Sequence, residues 1–409
     1  MRFKIAASGF CPYVDFTGKS MALFRRSHLR WDCLMDQRHE SEPSRSHRRW
    51  DLRKSAIAVL FCVVVVSASA VSETLSIVPW PNSVSPGTGF FLLDPGVTIV
   101  ADTASTPNAL RFAETLRIPT GFELPVAQSG SPTPGVHDIS FQIDPAQESL
   151  GAEGYRLNVQ EDRVTVTAAA PAGIRYGYQT LLQLLPPEAF SHSKMAGIDW
   201  KIPCVTIEDC PRFPWRGLML DPARSFLTPD FIKRYIDLLA MHKMNRLHFH
   251  LTDSEAWTIE IKAYPELTNM AKWPMKGQGL VQGFYTQDEI RDLVRYAAER
   301  NVTLVPEIEF PAHSSVAMAA YPELMCPNNP LRTGQQHWGP KSYEWAEYCP
   351  SSEKTYQFIE TVLGEVIALF PSTEIHLGGD EYFGLAWKQC PVCQERVSQP
   401  DLQGEDTEE

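Results

Sequence analysis

The chain has 409 residues, 44% of them hydrophobic, 11% aromatic and 21% charged, with a formal net charge of −12. That composition can fill a sizeable core, excludes a disordered chain and allows two or three domains. Residues 1–54 hold 12 Lys+Arg against 6 Asp+Glu and residues 71–409 hold 25 against 43, so the acidic body is a poor partner for nucleic acid or an anionic membrane.

Residues 1–55 show no periodicity and are read as an unstructured extension. An apolar run over 56–66 follows Arg48, Arg49, Arg53 and Lys54 and leaves through Ser67-Ala68-Ser69-Ala70. A basic flank, a short apolar stretch and a small-x-small exit describe a signal peptide over 56–70, cut after Ala70, with Met35 or an outside residue as the true start. The rival is a membrane anchor, for which the run falls short of the roughly 20 apolar residues a span needs.

Cleavage there leaves Cys204, Cys210, Cys326, Cys349, Cys390 and Cys393. An even number behind a signal peptide fits disulfides and a secreted or lysosome-like location, or the periplasm or exterior of a bacterium. Cys326 and Cys349 bracket a loop rich in Pro, Gly, Asn and Trp and are the expected pair. Cys390-Pro-Val-Cys393 has the spacing of half a zinc site, but no second half follows it, so neither a metal nor a cofactor is expected. Asn301-Val-Thr303, the single glycosylation sequon, falls on a turn where a glycan is expected to be tolerated.

From 76 to 206 the pattern is α+β. Strand-like runs cover 90–93, 97–100 and 139–143, and alternating segments 155–159 and 164–167 flank Gln160-Glu-Asp-Arg163 as a hairpin. Residues 172–185 have helical spacing and stop at Pro186-Pro187. The pattern changes at Pro211. From there to 409, strands at 217–220, 246–251, 302–308 and 374–377 alternate with helices from Pro229 to His242, Thr286 to Arg300 and Lys354 to Phe370, with Thr228 capping the first.

Four βα units predict a parallel α/β sheet of the barrel type, with chemistry at the C-terminal ends of the strands. Those ends carry Asp221 and Arg224, then Asp253, then Glu307, Glu309 and His313, then Asp380 and Glu381. His376-Leu-Gly-Gly-Asp-Glu381 stands out, because two glycines let a ligand approach the backbone where two acids end a buried strand. An acidic surface loop or helix N-terminus is the plainer reading of an Asp-Glu pair alone.

Neighbouring side chains on a strand face opposite ways. The pair is therefore not expected to flank a bond like the carboxyls of an ordinary retaining glycosidase, about 5–5.5 Å apart. One acid would move a proton while the other orients something else. His248 and His250 share a strand face without a third ligand at metal spacing, so packing inside the barrel is expected. Trp257 and Trp387 are expected to pack in the core rather than stack on sugar.

Arg216-Gly-Leu-Met-Leu-Asp-Pro-Ala-Arg224, Asn245-Arg-Leu-His-Phe-His-Leu-Thr-Asp253, Pro306-Glu-Ile-Glu-Phe-Pro-Ala-His313 and His376-Leu-Gly-Gly-Asp-Glu381 occur in that order. Together they resemble the β-N-acetylhexosaminidase family of substrate-assisted retaining glycoside hydrolases, and Glu153-Gly-Tyr-Arg-Leu157 resembles its small preceding domain.

The resemblance implies a small α+β domain over 76–206 and a (β/α)8 barrel from 211 onward. It implies Glu381 as general acid and base, Asp380 holding the substrate acetamide, and Arg224 binding sugar hydroxyls with Asp253 doing likewise. His313 with Glu309 would be a supporting dyad. The substrate would be an oligosaccharide with a terminal N-acetylhexosamine, and a homodimer is the one protein assembly this reading admits. Ala312 stands where the family often has Gly, and Glu255 where an amide is usual.

A complete barrel needs about 250 residues, whereas residues 216–409 supply 194 and four recognisable strands. The barrel is thus expected to be truncated at its C-terminal side. The alternative reading is a non-catalytic, sugar-binding or vestigial secreted chain.

Overall fold

The computed structural model describes residues 4–6, 75–130, 137–269, 283–333 and 342–399. The signal-like segment 56–70, almost all of the extension 1–55 and the acidic tail 404–409 lie outside the described residues. The strands in chain order are β1 (Lys4–Ala6), β2 (Ser83–Leu92), β3 (Thr98–Ala101), β4 (Val126–Gln128), β5 (Asp138–Ile143), β6 (Tyr155–Val159), β7 (Arg163–Ala168), β8 (Lys201–Asp209), β9 (Gly217–Leu220), β10 (Arg246–His250), β11 (Thr303–Glu307) and β12 (Glu374–His376).

Strands β2 to β8 form a seven-stranded mixed sheet in the order β2-β8-β6-β7-β5-β3-β4. The expected hairpin is β6–β7, antiparallel, with Leu157 opposite Val166. Its alternation sends Tyr155, Leu157, Val159, Val164, Val166 and Ala168 into the core. The helix Pro171–Leu184 packs on these strands, with proline in its first turn.

The sequence reading passed over the helix Thr106–Thr120 and strands β4 and β8. Pro107 and Pro119 punctuate that helix, and exposed Leu110 and Ile118 blur the apolar stripe of Ala109, Phe112, Ala113 and Leu116. In β8, Pro203 disfavours a strand, yet the alternation of buried Val205, Ile207 and Asp209 with Thr206 and Glu208 prevails, after a shift of face at the adjacent buried pair Cys204 and Val205.

Strands β9 to β12 are parallel neighbours in chain order, and β1 pairs in parallel with the far side of β12. Strand β1 falls inside the segment expected to lack structure. The outer face of the sheet is covered by the helices Pro229–Met241, Gln287–Ala298 and Glu353–Leu369. Thr228 caps the first through the Phe231 N–H, and Thr286 forms a capping box with Glu289 on the second. Ile232, Ile236, Leu247, Phe249, Ile290, Leu293, Leu304, Phe358, Val362 and Val366 fill the layer between sheet and helices.

The two sheets are bolted together by polar groups that head the sequence motifs. The Arg216 guanidinium donates to Glu153 at 3.0 and 3.1 Å and to the Tyr176 hydroxyl at 3.1 Å. Asn245 Nδ2 donates to the same Glu153 at 3.0 Å. Burial alone would raise the Glu153 pKa, but these donors hold the carboxyl below its ordinary range. Nearby, buried Lys243 reaches Asp209 at 2.9 Å and the Tyr155 hydroxyl at 2.8 Å.

Two expectations need correction. Asn301 Nδ2, the atom a glycan would occupy, donates to Tyr176 at 2.7 Å in this junction. A glycosylated Nδ2 keeps one N–H, so this contact restricts where a glycan could point, and the turn is not the free rim position expected. Cys326 and Cys349 do lie together, but as free thiols in one buried group with Cys390 and Cys393 rather than as a disulfide pair. The loop after β11 folds onto the segment after β12, so the partners of the Cys390–Cys393 half come from upstream.

Candidate active site

Every charged residue singled out at the strand ends lies at or just beyond the C-terminal end of β9, β10, β11 or β12, along the same edge of the parallel sheet. Register explains the grouping. His250 on β10 pairs with Glu307 on β11, which pairs with His376 on β12. Glu307 therefore takes His248 Nε2 at 2.6 Å, His376 Nδ1 at 2.6 Å and His250 Nδ1 at close range. Burial would raise its pKa, but these three imidazoles hold it far below the ordinary range. His248 and His250 thus bond a buried carboxylate, and the fold corrects the expectation that no third group stands at metal spacing, because ligand atoms of His248, Glu307 and His376 lie within 4.8 Å of one another.

Asp253 is the hub of the next layer. It is 2% exposed and contacts Arg224 Nη2 at 2.6 Å, His250 Nε2 at 2.9 Å and His313 Nδ1 at 3.2 Å. Those cationic partners keep its carboxyl well below the usual range despite burial. This corrects two expectations. Asp253 has no free face for sugar hydroxyls, and it, rather than Glu309, is the partner of His313.

Glu309 lies beside the His313–Asp253 pair, 3.8 Å from His250 Nε2, with Oε2 buried and without a hydrogen-bond partner. Trp257 packs in the core, and the Trp387 indole N–H donates to the Tyr348 carbonyl while its ring lies against Tyr382.

The acidic pair does not obey strand alternation, because the chain leaves β12 at His376. It turns through Gly378 (φ 66°), Gly379 (φ 103°) and Glu381 (φ 50°), a left-handed path. A Cβ on Gly378 would stand 1.7 Å from Glu309 Oε2, so only glycine fits over that buried carboxyl. The path brings both acids to one imidazole: His313 Nε2 lies 3.8 Å from Asp380 Oδ2 and 3.5 Å from Glu381 Oε2. His313 itself has φ 50°, a strained setting that aims its ring between buried Asp253 and the exposed pair.

Burial would lower the His313 pKa, but the Asp253 bond and the surrounding carboxylates carry it up to about 9. His250 is pushed up to about 10 in the same way, against burial, by Asp253 and Glu307. Glu309 moves to about 8, through burial first and the charge of Glu307 second.

Glu309 is therefore protonated in the folded protein at neutral pH, while the unfolded chain ionises it near pH 4.5. Between those values the folded state binds more protons, so this group weakens folding as pH rises from about 4.5 to 8 and contributes no further slope above. Glu309→Gln should flatten that slope and stabilise the protein by a few kcal/mol at pH 8. Denaturant unfolding of both forms at pH 5 and pH 8 checks this, and parallel curves would rule it out.

Arg224 completes the site. It donates to Asp221 at 3.0 Å, approaches Glu255 at 3.3 Å and keeps its side chain 30% exposed. It also lies 2.6 Å from Asp253 and 3.0 Å from His250 Nε2, so its positive charge already offsets the buried carboxylate there. The cluster His250, Asp253 and Glu309 is thus an internally neutralised network. Glu255, standing where an amide was expected, has its pKa raised to about 7 by burial and by Asp253.

Sequence reasoning missed Glu347, whose side chain accepts the Phe383 and Gly384 N–H groups at 3.0 and 2.7 Å just after the acidic pair. No local pattern marks it.

A search against protein families matches residues 213–408 to the glycosyl hydrolase family 20 catalytic domain and residues 74–210 to domain 2 of that family. A β-hexosaminidase of Porphyromonas gingivalis is 38% identical over 333 residues, covering 81% of this chain and 42% of the relative. One from Vibrio furnissii is 35% identical, covering 79% of this chain and 51% of the relative.

Among solved structures, a family 20 β-N-acetylhexosaminidase from Streptomyces coelicolor matches with a TM-score of 0.67 at 36% identity, over 78% of this chain and 63% of that one. The Streptomyces plicatus N-acetyl-β-hexosaminidase in complex with Thio-NAglucal matches with a TM-score of 0.67 at 37% identity, over 78% and 62%. The chain spans about half the length of the curated relatives it matches, between 42% and 53% for the first three. Its two sheets, in sequence and in shape, make this chain a member of glycosyl hydrolase family 20.

Proposed function

We propose that the protein hydrolyses the β-linkage of terminal, non-reducing N-acetylhexosamine residues with retention of configuration, the substrate's own acetamide serving as nucleophile. The observation that carries this reading is the placement of both acids against one imidazole nitrogen, 3.8 and 3.5 Å away. Two carboxyls gathered on one side cannot bracket a glycosidic bond from opposite faces, so neither is placed as the attacking group of an ordinary retaining enzyme.

Glu381 gives its proton to the glycosidic oxygen as the C1–O bond breaks, and the acetamide oxygen closes onto C1 as an oxazolinium ring. Asp380 holds the acetamide N–H and offsets the charge that develops there. Water then attacks C1 while Glu381 takes its proton, which opens the ring and restores the acid. His313, oriented by Asp253, positions Glu381, and the Arg224 fork is presented to sugar hydroxyls. The signal-like segment 56–70 supports export as part of the same proposal.

The test compares a β-N-acetylglucosaminide with the matching β-glucoside, in which hydroxyl replaces the acetamide. The glucoside should lose at least about 10³-fold in kcat/KM, since it lacks the built-in nucleophile. Comparable values on both substrates would point to a plain two-carboxylate glycosidase, and turnover of neither to the non-catalytic alternative.

A further inference from the structure

Cys326, Cys349, Cys390 and Cys393 are each 0–2% exposed and come from three separate stretches of chain. Cys326 follows the turn Pro322–Leu324, Cys349 lies before the helix Glu353–Leu369, and Cys390 and Cys393 open the helix Pro391–Val397. All four sulfurs lie within 4.8 Å of one another. Cys393 Sγ stands 3.8 Å from Cys326 Sγ and 3.7 Å from Cys349 Sγ.

Those separations decide between two chemistries. A disulfide holds its sulfurs at about 2.05 Å. A tetrahedron of thiolates with metal–sulfur arms of about 2.3 Å has sulfur–sulfur edges of about 3.8 Å. A redox pair needs two sulfurs, and this group gathers four. We infer that the four cysteines form a structural zinc site.

On binding, Zn²⁺ replaces the four thiol protons, which leave to solvent, and no oxidant or reductant is involved. Four protein ligands complete the tetrahedron, so no position is open for water and the site is structural. Trp345, Trp387 and Ala386 pack around the sulfurs and shield them.

The site ties together two segments on which the acidic site depends. Cys326 and Cys349 belong to the excursion after β11 that begins with His313, and Cys390 and Cys393 to the excursion after β12 that begins with Asp380 and Glu381. Glu347, two residues before Cys349, holds the Phe383 and Gly384 N–H groups, and Trp387 donates to the Tyr348 carbonyl at 2.8 Å. Asn328 also donates to the Gln389 carbonyl. A metal at the centre fixes the distance between these excursions, and through them the setting of His313 against Glu381.

The test is metal content and metal spectroscopy on the whole chain, purified without chelator. We expect one zinc ion per chain, released in step with titration of four thiols by a mercurial. Replacement with Co²⁺ should give the sulfur-to-metal charge-transfer band and intense visible bands of a tetrahedral tetrathiolate. Cys390→Ser with Cys393→Ser should abolish stoichiometric zinc and the cobalt bands, whereas Cys204→Ser should leave both intact. If the double variant does not fold, the wild-type zinc-to-thiol ratio and cobalt spectrum decide alone. A chain that takes up neither metal, or peptide mapping that finds any of the four cysteines in a disulfide, overturns the inference.

Discussion

Glu381→Gln is expected to lower turnover of a β-N-acetylglucosaminide with a poor leaving group by on the order of 10²–10⁴-fold, with KM little changed. The amide keeps the shape of the side chain but has no acidic proton to give to the glycosidic oxygen. Glu381 is the member of the pair nearer His313 Nε2, and its side chain is 66% exposed, so a substrate oxygen can reach it.

The loss should depend on the leaving group. An aryl leaving group that departs as a stable anion needs no proton for the first step, so its bond cleavage should be largely spared. Its overall rate then falls because nothing activates the incoming water, and azide, which needs no base, should restore turnover by forming the β-glycosyl azide. Steady-state kinetics on an alkyl and an aryl substrate, with and without azide, measure this. Undiminished activity on the alkyl substrate would remove Glu381 from the role of acid.

The strand-end rule made most of the candidate site legible. Period-2 and period-3.6 patterns located β9 to β12 and their helices, and the residues just past each strand are the ones the fold gathers. Partner choice was not legible. Asp253 was expected to face sugar, but only the alignment of β10 with β11 shows it enclosed by Arg224, His250 and His313. The opposite-face expectation for Asp380 and Glu381 failed because three left-handed residues end the strand early, and glycine in the sequence marks only two of them.

The cysteines show the same limit from the other side. A CxxC half-site was visible, but its partners lie 41 and 64 residues upstream of Cys390 and meet it only through the tertiary fold. Glu153, Arg216 and Asn245 were legible as parts of family motifs, not as the bolt between two sheets. That role appears once both ends of the contact are in place.

Asp253→Asn is expected to destabilise the fold by about 3–5 kcal/mol, because it removes a buried carboxylate that Arg224, His250 and His313 share. An amide can accept from one partner through its oxygen, but its NH₂ then faces another donor. The titration of His313 should change with it. Its pKa, held up to about 9 by Asp253 first among the raising influences, should fall toward the ordinary 6.5.

The sign follows from linkage. A histidine raised in the folded state stabilises the protein fully below pH 6.5, and that contribution is lost as pH rises through about 9. Asp253, depressed in the folded state, stabilises it above the unfolded carboxyl range and loses this only as pH falls below about 3.9. Wild-type stability from this pair should therefore be greatest between about pH 4 and 6.5 and decline toward pH 9. In Asp253→Asn the curve should start lower and lose most of its alkaline slope. Denaturant unfolding at pH 6 and pH 9, with the His313 ring followed by NMR, measures both effects. A variant within about 1 kcal/mol of wild type whose His313 still titrates near 9 would show that Asp253 is not the group that charges and aims that imidazole.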